Sequence, residues 1–225
     1  MVKSLDQALI ELESSEPRKR ANALQYFRVP RGEKTWPLVV AAMDDPNIGV
    51  RASAALVMGQ GAVRTGQQAL IDHLLEDPSD DVRWMCAFSL HFFKSERTMP
   101  AFIQALADSN DRVVCSACDS LGDYNHPDAI NALYGMLPNP SWNARLHTCA
   151  SLLKLQQVNA EVIACLEQLE REPEAQEHNA DARRTNALNR EIEGPNAEIV
   201  MDVTNDLLES ARALWKQRNS NDSSC

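Results

Sequence analysis

The strongest constraint on this chain is a repeat of near-constant period. Four segments align without gaps: GVRASAALVMG, DVRWMCAFSLH, RVVCSACDSLG and NARLHTCASLL, with RKRANALQYFR as a looser first copy. Their third residues are Arg20, Arg51, Arg83, Val114 and Arg145, spaced by 31, 32, 31 and 31 residues. A fixed period in this range is the mark of a stacked array, because one unit cannot bury its apolar face alone and successive units must cover one another.

Each unit from the second onward has the same parts. A first helix carries apolar residues at helical spacing: Pro37 to Met43, Ala69 to Leu75, Ala101 to Leu106 and Ala129 to Leu137. A polar turn follows: Asp44 to Asn47, Asp77 to Asp80, Asp108 to Asp111, and Pro138 to Ser141. Proline ends one helix there, and Asp, Asn or Ser caps the next. The aligned segment is the second helix. Only 8 glycines and 5% aromatic residues argue against a β-sandwich, and abundant Ala and Leu suit helices. The fold expected is all-α.

The aspartate-proline turn followed by V-R-x-x-A-x-x-x-L-G resembles the HEAT-repeat family, and in particular the short HEAT-like repeats of phycobilin lyases. Here it stands as Asp45, Pro46, Val50, Arg51, Ala54, Met58 and Gly59, with Met in the Leu place. The resemblance covers about residues 4 to 155. It implies a right-handed α-solenoid of about five to six helix pairs, with residues 1–155 as the array and 156–225 as C-terminal helices with a polar insertion that cap it. It also implies a ladder in which Arg51, Arg83 and Arg145, with Asp45 and Asp77, join neighbouring units. Val114 interrupts that ladder, and this joint is expected to bend or pack differently.

The helix pairs are expected at 4–13 with 17–28, then within 37–59, 66–93, 98–122 and 127–155. A loop lies at 29–36. Residues 159–171 read as a helix, 172–195 as a polar stretch with a short helix near 182–192, and 196–217 as a last helix before a polar tail. Fourteen acids and seven bases follow position 155, so most of the net charge of -10 lies there.

The helix within Asp80–Phe93 carries apolar residues on two faces, whereas a surface helix needs one stripe. Val82, Cys86 and Leu90 belong to the core. Trp84, Phe88 and His91, flanked by Met85 and Phe92, point elsewhere. In HEAT arrays the second helices line the concave surface, where Leu56, Asp119 and Leu146 occupy equivalent rows. A contiguous apolar patch of this kind marks a binding site. Packing against adjacent units, or cover by residues 172–195, explains it equally well.

Catalytic and metal signatures are lacking. Cys115 and Cys118 form a lone C-x-x-C, and Cys86, Cys118 and Cys149 fall on small-residue packing positions. None of the five histidines lies in H-E-x-x-H, and the His-Glu pairs of the iron-binding HEAT hydroxylases are missing. No metal or other cofactor is expected. The acidic balance disfavours nucleic acid, and neither a signal peptide nor a run of about 20 apolar residues is visible, so the expected setting is cytoplasmic, off the membrane. The function expected is a non-catalytic protein-binding scaffold that grips a protein or peptide in the groove. The alternative implied by the resemblance is a phycobilin lyase or chaperone-like protein holding a linear tetrapyrrole, the one enzyme activity in view.

Overall fold

The computed structural model describes residues 4–28, 35–61, 64–174, 177 and 203–222. Among them are twelve α-helices, four short 3₁₀ turns and no strand. They fall into two compact units, Met1–Ser120 and Leu121–Cys225.

The first unit contains α1 (Leu5–Leu12), α2 (Pro17–Leu24), α3 (Trp36–Ala41), α4 (Ile48–Gln60), α5 (Gln67–Glu76), α6 (Asp80–His91), α7 (Met99–Ala105) and α8 (Asp111–Leu121), whose last residue already counts with the second. The segments expected as helices over 17–28 and 37–43 are shorter α-helices, each finished by a 3₁₀ turn (Gln25–Arg28 and Ala42–Asp44), which tightens the chain before it reverses. The long second helices α4 and α6 pack face to face, and α5 packs on both α6 and α7. Their core is Val50, Ala54, Val57, Met58, Leu70, Leu74, Val82, Cys86, Leu90 and Phe102, almost all without exposed surface.

The second unit contains α9 (Pro127–Gly135), α10 (Trp142–Lys154), α11 (Ala160–Arg171) and α12 (Val203–Asp222). Helix α10 packs on α9, α11 and α12. Its first turn is tied down by the Trp142 Nε1–H, which donates to the Leu169 carbonyl at 3.2 Å. The Tyr134 hydroxyl donates to the Gln157 carbonyl at 2.8 Å. The expected short helix near 182–192, and any cover from 178–195, lie outside the described residues, as do the first residues of the helix expected at 196–217.

Capping in both units follows the turn chemistry. Asn47, Ser141 and Asn159 each accept backbone N–H groups at the start of α4, α10 and α11. Helix α10 ends at Lys154 with Leu155 as its C-cap, and the next residue, Gln156, has a φ of 58, in the left-handed region. The Gln157 N–H returns to the Leu152 carbonyl at 2.8 Å. A glycine at such a position escapes the Cβ conflict of a left-handed residue. Gln156→Gly is therefore expected to raise the stability of the protein by about 1 kcal/mol, read from urea denaturation midpoints at constant slope.

Candidate functional site

Two constellations are built on the repeat: a ladder of ion pairs at the turns and an aromatic strip on α6.

The ladder uses each arginine twice. Arg51 donates from Nε and Nη2 to the two carboxylate oxygens of Asp77, at 2.8 and 2.9 Å, and from Nη1 to the Asp45 carbonyl at 3.0 Å. Arg20 does the same to Asp45 at 2.7 and 2.8 Å and to the Ser14 carbonyl. Arg83 repeats it with Asp108 at 2.7 and 2.9 Å and with the Asp77 carbonyl. Each arginine thus staples the turn six residues before it and clamps the turn of the next unit. Each aspartate also accepts the backbone N–H two residues on, from Asn47, Ser79 and Asn110. The fork-to-fork geometry is the strong form of a charged hydrogen bond.

These contacts decide the carboxylate pKa values. The hydrogen bond from Arg20 holds Asp45 below the ordinary carboxylate range. For Asp77 and Asp108 burial pushes upward, but the hydrogen bonds from Arg51 and Arg83 and from the turn N–H prevail, so both are also lowered. His73 adds a contact from Nδ1 to Asp77 at 2.9 Å. Arg145 keeps the staple to the Asn139 carbonyl at 2.8 Å, but its outer partner is Glu172, reached through Nη2 alone. Its Nε is buried without a hydrogen-bond partner. Val114 carries no donor, and Asn139, at the aspartate's place in the turn, carries no charge. Asn139 still accepts the Ser141 N–H at 2.9 Å, so the turn survives where the ion pair does not.

Arg20, Asp108 and Glu172 are rungs beyond those expected from the sequence. The first two were legible from the period, since Arg20 stands in the arginine column and Asp108 falls 31 residues after Asp77. Glu172 follows no such register.

The strip lies on the face of α6 turned away from the core. Trp84, Phe88 and Phe92 follow one another at i, i+4 and i+8. Ring centroids are 6.3 Å apart for Trp84–Phe88 and 5.2 Å for Phe88–Phe92, the latter edge to face. Phe88 and Phe92 are 41% and 47% exposed. Met85, His91 and Leu56 are half-buried, and Asp119 is exposed on α8. The His91 Nδ1 lies 3.4 Å from the Ser120 hydroxyl. One face of the Trp84 ring is covered by the Arg112 guanidinium at 3.7 Å, and Arg112 also donates to Asp81 at 3.2 Å. Trp84 therefore forms the floor of the strip, and the phenylalanines carry its free surface. Leu146, in the second unit, is 8% exposed and offers no such surface. Cys115, from the same row of the repeat, is 9% exposed, and its thiol is pushed up to about 12, chiefly by burial.

A family model of HEAT repeats matches residues 5–91, 67–154 and 99–184. The chain belongs to the HEAT-repeat family. Its fold is correspondingly an all-α solenoid of helix pairs, and its repeats form a scaffold. Among solved structures, this HEAT protein is similar to YibA of E. coli, with a TM-score of 0.62 and 16% identity over 76% of this chain and 66% of that one, just under two thirds of its length. It is equally similar to the complex of CpcE and CpcF of phycocyanin lyase from Nostoc sp. PCC7120, with a TM-score of 0.61 and 18% identity over 95% of this chain and 96% of that one. An engineered protein follows at a TM-score of 0.53 and 12% identity, covering 95% of this chain and 98% of that one. At these identities the likeness is one of fold alone. No curated protein sequence matches the chain. Among the described residues no helix is long and apolar enough to cross a membrane, and no cluster of three metal-ligating side chains occurs.

Proposed function

We propose that this HEAT-repeat protein is a non-catalytic scaffold that holds a protein or peptide segment against the outward face of α6, with Phe88 and Phe92 as anchors. The observation that carries this reading is the pair of large apolar rings left 41% and 47% exposed beside each other on a helix whose other face is fully buried. Covering each ring contributes about 2 kcal/mol of apolar transfer energy. Trp84, held flat by Arg112, supplies a rigid floor. The charges of Arg112 and Asp81 beside it, and of Asp119 exposed on α8, fix the orientation of a partner more than its affinity.

The test uses a photo-crosslinking residue in place of Phe88, with the same residue in place of Glu76, exposed on α5, as control. Peptides captured at 88 and not at 76 define the partner segment, which is then synthesised and titrated. A Phe88→Ala, Phe92→Ala double variant is expected to keep its helical circular-dichroism signal and weaken binding by about 100-fold or more, as two truncated hot-spot rings do. Ile10→Ala, at an even more exposed position (71%), is expected to leave binding unchanged. Equal capture at both sites, or undiminished affinity of the double variant, overturns the reading.

A further inference from the structure

The strip on α6 has unlike neighbours on its two sides. On α4, the positions equivalent to Trp84 and Phe88 hold Ala52 and Leu56, both half-buried and uncharged. On α8, Arg112, Ser116 and Asp119 follow one another at i, i+4 and i+7 and so share one stripe of the helix. Contacts to α6 fasten that helix at both ends. Arg112 lies 3.7 Å over the Trp84 ring and donates to Asp81 at 3.2 Å, and the His91 Nδ1 stands 3.4 Å from the Ser120 hydroxyl. Asp119 falls within the span these contacts fasten, and it is exposed. It stands 31 residues after Phe88, the same offset that joins Asp81 to Arg112.

The cations of this face are engaged or lie outside it. Arg112 is held between the indole and Asp81, and Lys94 lies beyond the last turn of α6. Asp81 offsets the Arg112 charge, and Asp119 then gives the α8 side a negative balance, while the α4 side is neutral.

Resting on the reading of the α6 strip as the binding face, we propose that its occupant is a partner segment with an apolar residue seated on Phe88 and Phe92 and a lysine or arginine about three residues away that meets Asp119. The spacing follows from helix packing: neighbouring axes stand about 8–10 Å apart, which an extended chain spans in about three residues. The sign follows from complementarity. A basic residue there gains an ion pair and an acidic one meets a like charge, whereas the apolar contact is the same for both. The strip thus supplies the affinity, and Asp119 selects among apolar segments and sets the direction in which they lie.

The test selects random short peptides displayed on phage against the full-length protein, with counter-selection on the Phe88→Ala, Phe92→Ala double variant. The survivors are peptides that need the two rings. The tightest is synthesised with lysine, glutamine or glutamate about three residues to either side of its apolar anchor, and binding is read by fluorescence anisotropy. On one side, lysine is expected to bind about threefold tighter than glutamine, and glutamate more weakly than either. These differences are expected to shrink in about 1 M salt, while the apolar contact persists. Asp119→Lys, at an exposed position, is expected to keep the helical circular-dichroism signal and to reverse the order, so that glutamate binds tightest. If that variant folds poorly, the peptide series on the unaltered protein decides by itself. Ring-dependent peptides that bind equally with lysine and glutamate, or an order that Asp119→Lys leaves unchanged, overturn this proposal and leave the strip standing as a binding face. A library that yields no ring-dependent peptide overturns both.

Discussion

Replacing Asp77 with alanine is expected to cost about 3–5 kcal/mol, among the largest losses available to a single turn substitution in this protein. Asp77 is 5% exposed, and Arg51, its partner, is 9% exposed. The substitution leaves a guanidinium in the interior with its Nε and Nη2 donors unanswered, and it deprives the Ser79 N–H and His73 of their acceptor. Two further variants separate these losses. Asp77→Asn keeps one oxygen for the Ser79 N–H and for Arg51 Nη2, which share Oδ1, so it is expected to lose about 1 kcal/mol less than Asp77→Ala, and that difference reports the neutral hydrogen bonds of the site without the ion pair. The Arg51→Met, Asp77→Leu double variant removes both charges together and is expected to recover much of the loss, because an apolar pair avoids the desolvation of two ions. Urea denaturation measures all of them. A loss below about 0.5 kcal/mol for Asp77→Ala would mean that water repairs the site.

The same contacts set the acid limit of the fold. Asp45, Asp77 and Asp108 all have folded pKa values below the ordinary carboxylate value of 3.8. A group with a depressed folded pKa contributes stability that is complete above its unfolded pKa and disappears as pH falls toward the folded one. Unfolding free energy is therefore expected to stay level through the weakly acidic range and to drop as pH falls below about 4, with a shallower drop for Asp77→Asn.

The second large effect is expected from Gly59→Ala. In an exposed helix this change stabilises by about 1 kcal/mol, because glycine is a poor helix former. Here it meets backbone. A Cβ on Gly59 would stand 2.7 Å from both Cα and Cβ of Ser89 and 2.9 Å from its Oγ. The Cα of Ser89 cannot rotate away, so α4 and α6 must separate along their longest shared face, and overpacking of this kind costs about 1–3 kcal/mol. The net result expected is a clear loss of stability, visible as a lower thermal midpoint. Adding Ser89→Gly is expected to relieve the clash only in part, since the backbone at position 89 stays where it is. A midpoint at or above that of the unaltered protein would show that the two helices slide without cost.

What was legible in the chain was everything that recurs. The period of about 31 residues, the aspartate turns and the arginine column specify helix pairs and their stacking, because each unit presents the same apolar face and the same donor and acceptor at the same offset. Asp108 was readable by that register, and so was the matched replacement of the pair by Val114 and Asn139. Glu172 was not, because it lies where the repeat has ended and meets Arg145 only through the path of the chain after α11.

Tertiary structure decided how the two-faced helix is used. Sequence spacing placed Trp84 at the centre of an apolar patch with Leu146 in its row. Only the packed neighbours reveal that Arg112 lies over the indole, that Leu146 and Cys115 are covered, and that Phe88 and Phe92 keep their surface. Spacing along one helix tells which side chains share a face. Whether that face is bare depends on side chains arriving from other units, which no period encodes.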